Sequence, residues 1–181
     1  MQSRCMANTL EEAASKTMAA VKAGQAVFQG LVGVFKHLVQ EHGEVTALLK
    51  RVQLSSDPDV RRRVYPEIRT NLLSHERAEL AEVYPILASY EMTRRLATAH
   101  QDHARELDAR VEEVDKLEFA SEEWPRAFER LVQAVEQHVA DEEGDYFPRA
   151  QDAVGEQEAK AMLHRYEACK RDEVERLQKV V

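Results

Sequence analysis

The sequence predicts an all-α protein, an up-down four-helix bundle with extra helices at its N-terminal and C-terminal ends. No run of β-branched residues alternates with polar ones, so no segment indicates a strand. The 181 residues include only six glycines and five prolines, which indicates few turns and long elements. One pattern, a histidine followed by a glutamate after four residues and a proline after ten, occurs twice. This repeat predicts two similar helical hairpins, and helices joined by short loops pack as antiparallel neighbours.

Capping and turn residues delimit the helices along the chain. Thr9 and Glu12 form a capping box at the start of a lead-in helix. Asp57, followed by a proline, and Ser121 are predicted N-caps of later helices. Gly155 separates the last helix from the one before it. The bounds predicted after the lead-in helix are about 25–52, 58–89 with a kink at Pro66, 92–117, 121–146 and 156–179.

Composition and charge exclude several classes of function. The net charge of −8 argues against nucleic acid as a partner, because phosphate binding needs a basic surface. No apolar run approaches the roughly 18 residues that span a bilayer, and the first residues lack the apolar segment of a secretory signal. The two cysteines form no CxxC pair, which favours a reducing environment. We therefore expect a cytoplasmic protein with neither a membrane nor nucleic acid as its partner.

The repeated pattern places each histidine and its glutamate on one face of a helix. The two copies consist of His75, Glu79 and Pro85, and of His138, Glu142 and Pro148. Residues four apart lie above one another on a helix, so each pair can hold one metal ion or bridge to a second. His42 and His103 lie 33 and 35 residues upstream of the repeated histidines (75 − 42 and 138 − 103). Each hairpin is thus expected to bring three such residues to a shared centre.

Hydrophobic periodicity predicts that these polar residues face the core. In the first long helix, His42 fills a gap in an apolar stripe that runs from Leu31 to Val52, and the other three helices follow the same rhythm. An unpartnered buried carboxylate would cost several kcal/mol, so the set must compensate internally or bind something. A pair of divalent metal ions meets this requirement. The six predicted ligands are His42, His75, Glu79, His103, His138 and Glu142.

Simpler explanations exist for each feature taken alone. A single buried histidine is usually a hydrogen-bonded core residue, and an isolated His-x3-Glu pair is usually a surface pair. His37 and Glu41 form such a pair, but His37 lies about 140° from His42 around the helix and is assigned to solvent. Glu-x-x-His pairs of the ferritin type and a zincin His-Glu-x-x-His motif are absent from the candidate helices. Agreement of four helices in residue type and register favours a two-metal site.

Four segments of the chain resemble the hemerythrin-like, HHE cation-binding family over roughly residues 35–150. They are QEHGEV at 40–45, LSHERAE at 73–79, DHAREL at 102–107 and HVADEE at 138–143. The resemblance implies a four-helix bundle with a non-haem di-iron centre that binds dioxygen or related small ligands. It also implies that the four histidines are terminal ligands and that Glu79 and Glu142 bridge the irons. Zinc and manganese are the alternative metals.

Two departures from the family pattern affect the ligand set. The oxygen-carrying branch has two histidines spaced by four on its third helix, whereas His100 and His103 are spaced by three, about 60° apart. His100 is expected to support a ligand or to lie on the surface, with ligation as the alternative. Glu76 directly follows His75, as in family members where it ligates, and a solvated residue is the equal alternative. A shell richer in oxygen would favour redox turnover over reversible oxygen binding.

The predicted organisation is a lead-in helix over residues 1–30, a metal-binding bundle over 31–150 and a C-terminal helix over 151–181. The terminal helices are expected to pack on the bundle, mediate dimerisation or present it to a partner. The leading hypothesis is a di-iron protein that binds or senses dioxygen, nitric oxide or peroxide, or handles iron. An oxidase or peroxidase and a regulatory helical module are the alternatives. The aromatic residues near the repeated prolines, expected to close the end of the bundle, are Tyr84, Tyr146 and Phe147.

Overall fold

The computed structural model describes residues 22, 24, 26 and 29–179, and within them the protein is all-α with no strand. The predicted all-α bundle is confirmed. The helices are α1 (Gly33–Gln53), α2 (Pro58–Glu82), α3 (Tyr84–Ser89), α4 (Arg94–Asp115), α5 (Trp124–Asp141) and α6 (Phe147–Gln178), with a π-helical segment (Glu142–Tyr146) between α5 and α6. The predicted capping box of the lead-in helix lies outside the described residues.

Gly30 and Gly33, both with positive φ, set the start of α1. The predicted start near residue 25 is wrong, because the chain turns at residues 29–30 and α1 begins at Gly33. Gly33 has a φ of +56°, a backbone conformation that residues other than glycine rarely adopt. A Cβ atom at Gly33 would also lie 2.3 Å from the backbone carbonyl of Ala159 in α6. Glycine therefore allows α1 and α6 to approach closely at this point.

The first copy of the repeat contains a break in the helix. Asp57 accepts a hydrogen bond from the backbone N–H of Asp59, so α2 begins where predicted. The helix passes through Pro66 without interruption but ends at Glu82, and the short α3 follows. A proline removes one helical hydrogen bond and its ring crowds the carbonyl four residues earlier. The helix therefore breaks just before Pro85. The sequence predicts the irregularity at Pro66 instead, and that prediction is wrong.

The second copy passes its proline without a loop. Helix α5 changes into the π-helical segment, and this leads directly into α6. The wider turn comes just before Pro148, which cannot donate the hydrogen bond that an α-helix needs there. The predicted helix end near residue 146 is thus wrong. Gly155, with φ of 77° and ψ of 170°, kinks α6 at the predicted boundary of the last helix.

The buried polar residues lie between two apolar clusters. Helix α1 packs on α2, α4 packs on α5, and α6 packs along α2 and α1. One cluster contains Leu49, Ile68 and Leu131, whereas the other contains Phe35 and the first residues of α6. On each bundle helix the candidate site residues fall between these clusters along the chain. Within the described part of the chain, no helix combines the length and apolar character needed to span a bilayer.

Candidate metal centre

Buried histidines and glutamates from four helices and the π-helical segment converge between the two apolar clusters, and we call this set the polar layer. Each side chain in the layer belongs to a residue that is at most 8 % exposed. Two groups each place their ligand atoms within 4.8 Å of one another. The first group is His42, His75, His138 and Glu142, and the second is Glu76, Glu79 and His100. The layer therefore offers two adjacent sets of metal ligands.

Glu142 lies between histidines of both groups. Its Oε2 atom is 3.2 Å from His42 Nε2 and 3.2 Å from His138 Nε2. Its Oε1 atom is 3.2 Å from His100 Nδ1 and accepts a hydrogen bond from the Tyr84 hydroxyl. One carboxylate thus faces both ligand groups, which is the arrangement that a bridging carboxylate requires.

Helix α2 adds two further carboxylates to the polar layer. Glu79 Oε2 is 3.3 Å from His75 Nε2 in the first group and 3.8 Å from His100 Nε2 in the second. Glu76 Oε1 is 2.7 Å from His100 Nε2, and Glu76 Oε2 is 3.9 Å from His138 Nε2. Both glutamates therefore also reach from one group to the other.

Many polar atoms of the layer are buried without a hydrogen bond. They are His42 Nε2, His75 Nε2, both oxygens of Glu76 and of Glu79, both ring nitrogens of His100 and of His138, and Glu142 Oε2. Several lie about 3.2 Å from one another as ion pairs but form no hydrogen bond. Leaving buried polar atoms unpaired costs about 1–3 kcal/mol each, and more when they are charged. Metal ions bound between them would satisfy nitrogen and carboxylate donors at once, so the residues present fit a metal centre.

Carboxylates outside the layer hold the other ring nitrogens of two histidines. Glu143 Oε1 is 3.0 Å from His42 Nδ1, and Glu41 Oε2 is 2.8 Å from His75 Nδ1. A carboxylate on Nδ1 fixes the tautomer and leaves Nε2 free to bind a metal, as is usual for metal-bound imidazoles. Both rings therefore present Nε2 toward the centre, with a defined orientation.

The charges of the metal-free layer shift one another's pKa. Burial alone would lower the pKa of His100, but its contacts with Glu142 and Glu76 raise it to about 10. The pKa of His138 is raised in the same way, mainly by Glu142. Burial would raise the pKa of Glu142, but the neighbouring histidines hold it well below its usual range. Without a metal, these charges favour the protonated imidazoles of His100 and His138 and the ionised carboxylate of Glu142.

Five of the six predicted ligands lie in this layer, and His103 does not. The side chain of His103 is 30 % exposed, and its Nε2 atom is 3.9 Å from Asp141. His100, three residues earlier, is fully buried and is the side chain that α4 contributes to the layer. The reason is the register of α4, whose buried face steps by three and four residues. That face consists of Ala97, His100, Ala104, Leu107, Val111 and Val114.

Several neighbours of the site carry only a weak signal in the sequence. Glu76, for which ligation and a solvated position are equal alternatives from the sequence, is buried. Glu41 and Glu143 contact ligand histidines, although the predicted ligand set does not include them. Each of these two glutamates is adjacent in sequence to a predicted ligand, and this adjacency is the signal that was available. Tyr84, expected to close the bundle end, donates to Glu142 and stacks on His100 with ring centroids 3.5 Å apart.

A small cavity borders the polar layer. Its volume is about 20 Å³, and its walls include His42, His75, Glu76 and His138. A water molecule needs about 10–15 Å³, so the cavity accommodates one molecule of that size. Its apolar walls are formed by Val45, Leu72, Leu107, Val135 and Val139.

A helical bundle whose buried layer presents seven histidine and carboxylate ligands defines a cation-binding bundle protein. Residues 33–150, more than half of the chain, match the family described as hemerythrin HHE cation binding domain. The chain belongs to this family, and the predicted resemblance is confirmed. No curated protein and no solved structure matches the chain. Membership implies a metal cofactor, usually iron, and the two ligand groups agree with it.

Proposed function

We propose that the protein holds a non-haem di-iron centre that binds or senses dioxygen or a related small ligand, such as nitric oxide or peroxide. The observation that carries this proposal is the position of Glu142, whose two oxygens face the two ligand groups. A structural zinc site is usually closed by four ligands, and seven buried donors in two groups exceed that number. Imidazole with carboxylate suits iron, and manganese or zinc remain the alternatives.

The two groups differ in the number of ligands that they offer. His42, His75, His138 and Glu142 would hold one ion, whereas Glu76, Glu79 and His100 would hold the other. Three protein ligands leave a coordination position for a small molecule. Bound iron would supply the electrons that a reaction with dioxygen requires. The chain's own residues would orient the imidazoles through Glu41 and Glu143, and the apolar cavity walls would exclude bulk water.

Glu76 favours an enzyme as the second candidate function. With Glu79 and Glu142 it makes three carboxylates in the layer. Anionic oxygen ligands stabilise oxidised iron, which favours an oxidase or peroxidase over a reversible oxygen carrier. A regulatory helical module, metal-free or zinc-bound, is the third candidate. In its metal-free form, replacing both His75 and Glu79 by alanine would leave folding and partner binding unchanged. We further propose a cytoplasmic location, as the cysteine content suggests.

Metal analysis with optical spectroscopy tests the leading proposal. We expect about two irons per chain after anaerobic reconstitution, and an absorbance change when dioxygen is admitted. Reversal of that change under vacuum would indicate oxygen binding, whereas turnover with peroxide and an electron donor would indicate an enzyme. A protein that takes up no iron, or whose spectrum ignores dioxygen, would contradict the proposal.

A matched pair of glutamate variants makes this test specific to the site. Glu142→Gln keeps the shape of the side chain but removes the charge that faces both groups, so iron content should fall to near zero. Glu136→Gln makes the same change on the exposed face of α5 and should bind iron like the unmodified chain. Equal iron content in the two variants would contradict the role given to Glu142.

A further inference from the structure

Helix α6 extends beyond the matched family segment, and its second half reaches the polar layer. Tyr166 is fully buried, and its hydroxyl donates to Glu41 Oε2 at 2.6 Å. The same hydroxyl lies 3.1 Å from His75 Nδ1. Lys170, about one turn later, places its Nζ atom 2.7 Å from the same oxygen of Glu41. Two side chains from α6 thus contact the carboxylate that orients a candidate ligand.

The position of Glu41 depends on these contacts. One of its oxygens faces His75, while the other is 2.9 Å from Nε2 of His37, which is partly exposed. The Glu41 side chain is 13 % exposed, so water and His37 compete with His75 for contact with its carboxylate. Tyr166 and Lys170 both bind the oxygen that faces His75 and therefore favour the orientation that fixes the imidazole. The equivalent carboxylate on His42, Glu143, is held by Lys22 instead.

Lys170 has a second relation to the site, because it also lines the small cavity beside the polar layer. The cavity brings Lys170 together with His75 and His138. Movement of α6 away from the bundle would therefore release Glu41 and open this cavity at the same time.

We propose that α6 supports the metal centre, because Tyr166 and Lys170 position Glu41 and thereby His75. Docking of α6 on the bundle and metal binding are therefore coupled. The inference rests on the proposed metal centre. Tyr166 and Lys170 are positioning residues and not ligands. Coupling is reciprocal, so docked α6 raises metal affinity and bound metal stabilises the docking of α6 by the same factor. The C-terminal helix would thereby report the state of the site at the protein surface.

Two variants of the 181-residue chain test the positioning role, with cobalt(II) as the probe metal. Tyr166→Phe removes only the hydroxyl, and Lys170→Met removes only the charge. Loss of a group bonded to a ligating histidine typically weakens metal binding about 10–100-fold. Because Tyr166 and Lys170 act through Glu41, we expect a loss of affinity up to that size in competition with a chelator. The visible bands of bound cobalt should shift as well, because the orientation of His75 changes. Lys170→Arg, which keeps the charge, should recover most of the affinity.

Two control variants match these changes away from the site. Tyr65 is also buried, but its hydroxyl bonds to Asp115 and to the carbonyl of Val111. Lys160 lies on α6 and pairs with Glu156 at the surface. Tyr65→Phe and Lys160→Met should both bind cobalt with unchanged affinity.

Hydrogen exchange provides the reciprocal measurement. Cobalt should slow exchange of the backbone amides in residues 156–178 of the unmodified chain, and this protection should disappear when Tyr166→Phe and Lys170→Met are combined. Unchanged cobalt affinity in both variants, or no protection of α6 by metal, would overturn the inference while leaving the metal centre intact. Failure of the unmodified chain to bind metal would overturn both. If Tyr166→Phe does not fold, Lys170→Met at the protein edge still decides the question.

Discussion

His100 and His103 stand three residues apart on α4, and the structure gives them different environments. His100 is buried against Glu76 and Glu142, whereas His103 is partly exposed near Asp141. The sequence favours His103 because it lies in a segment that matches the family and stands 35 residues before His138, much as His42 stands 33 residues before His75. Counting alanine as apolar would have favoured His100, since it stands between Ala97 and Ala104 in steps of three and four.

Exchange of each histidine for glutamine separates these two assignments. We expect His100→Gln to lose about one of two metal ions per chain, because the second ligand group contains only this imidazole. His103→Gln should keep full occupancy and serves as the matched control on the same helix. Metal content measured after reconstitution and gel filtration decides between them. The reverse pattern would mean that His103 moves inward when metal is bound.

The pKa shifts predict how stability depends on pH when no metal is bound. The pKa of His100 rises from 6.5 to about 10 on folding, so its contribution is complete below 6.5 and vanishes as the pH rises through 10. The pKa of Glu142 falls below 4.5, so its contribution is present above 4.5 and is lost as the pH falls through the folded-state pKa. The metal-free protein should therefore be most stable between these windows, near pH 5 to 6, and weaken toward pH 10.

Urea unfolding across this pH range measures the effect. In the metal-loaded protein the ions replace the imidazole protons, so the fall in unfolding free energy between neutral and alkaline pH should largely disappear. A metal-free protein that gains stability between about pH 7 and pH 10 would contradict the assigned shifts.

Among the elements, the two segments that precede the repeated prolines show what the sequence can and cannot predict. The predicted bounds end one helix near residue 146, before Pro148, but continue the other through Pro85 to residue 89, although proline interrupts the helical hydrogen-bond pattern at both positions. In the structure both sites are irregular. The form differs, since α2 breaks before Pro85 whereas the chain before Pro148 widens into a π-helix. Which form occurs depends on the packing around it. The wider turn allows both Glu142 and Glu143 to reach His42, and a regular helical register would not predict that.

The contact between α1 and α6 gives a second test at the scale of the element. Gly33→Ala would place a methyl group against the backbone of Ala159 and would require an unfavourable φ. Such a substitution destabilises by more than about 1 kcal/mol, and we expect a clear drop in melting temperature. Gly144→Ala is the control, because nothing lies within 4 Å of its Cβ position and its φ is not positive. A similar melting temperature for both variants would contradict the close packing at Gly33.

The sequence predicts that α6 has a face that packs, but not which helices it packs against. Its buried residues Ala159, Met162, Tyr166, Glu173 and Leu177 follow helical steps and predict a face that packs. The repeat ends at Pro148, however, so nothing in the pattern indicates which helices α6 contacts. The contact between Tyr166 and Glu41 joins residues 125 positions apart, and only the folded chain reveals it. The division of the chain at residues 30 and 150 stays a prediction.

For the whole molecule, the sequence predicted the architecture better than the details of the centre. Helix type, number of bundle helices and depth of the histidines all follow from periodic patterns, which report one helix at a time. Contacts between side chains of different helices decide which of two adjacent candidates turns inward. That is why the assignments on α4 and the partners Glu41 and Glu143 needed the structure.

The polar layer also separates the two apolar clusters of the interior. One cluster surrounds Leu49 and Ile68, and the other surrounds Phe35 and Phe147. Cooperative unfolding requires that the loss of one part weakens the other. Without metal, the ion pairs of the polar layer and the helices that run through both clusters link the halves. Metal ions bound by residues of four helices would add a further connection. Scanning calorimetry should therefore show a broad or split heat-absorption peak for the metal-free protein and one sharp peak after loading. A single sharp peak in both states would mean that the helices alone transmit cooperativity across the layer.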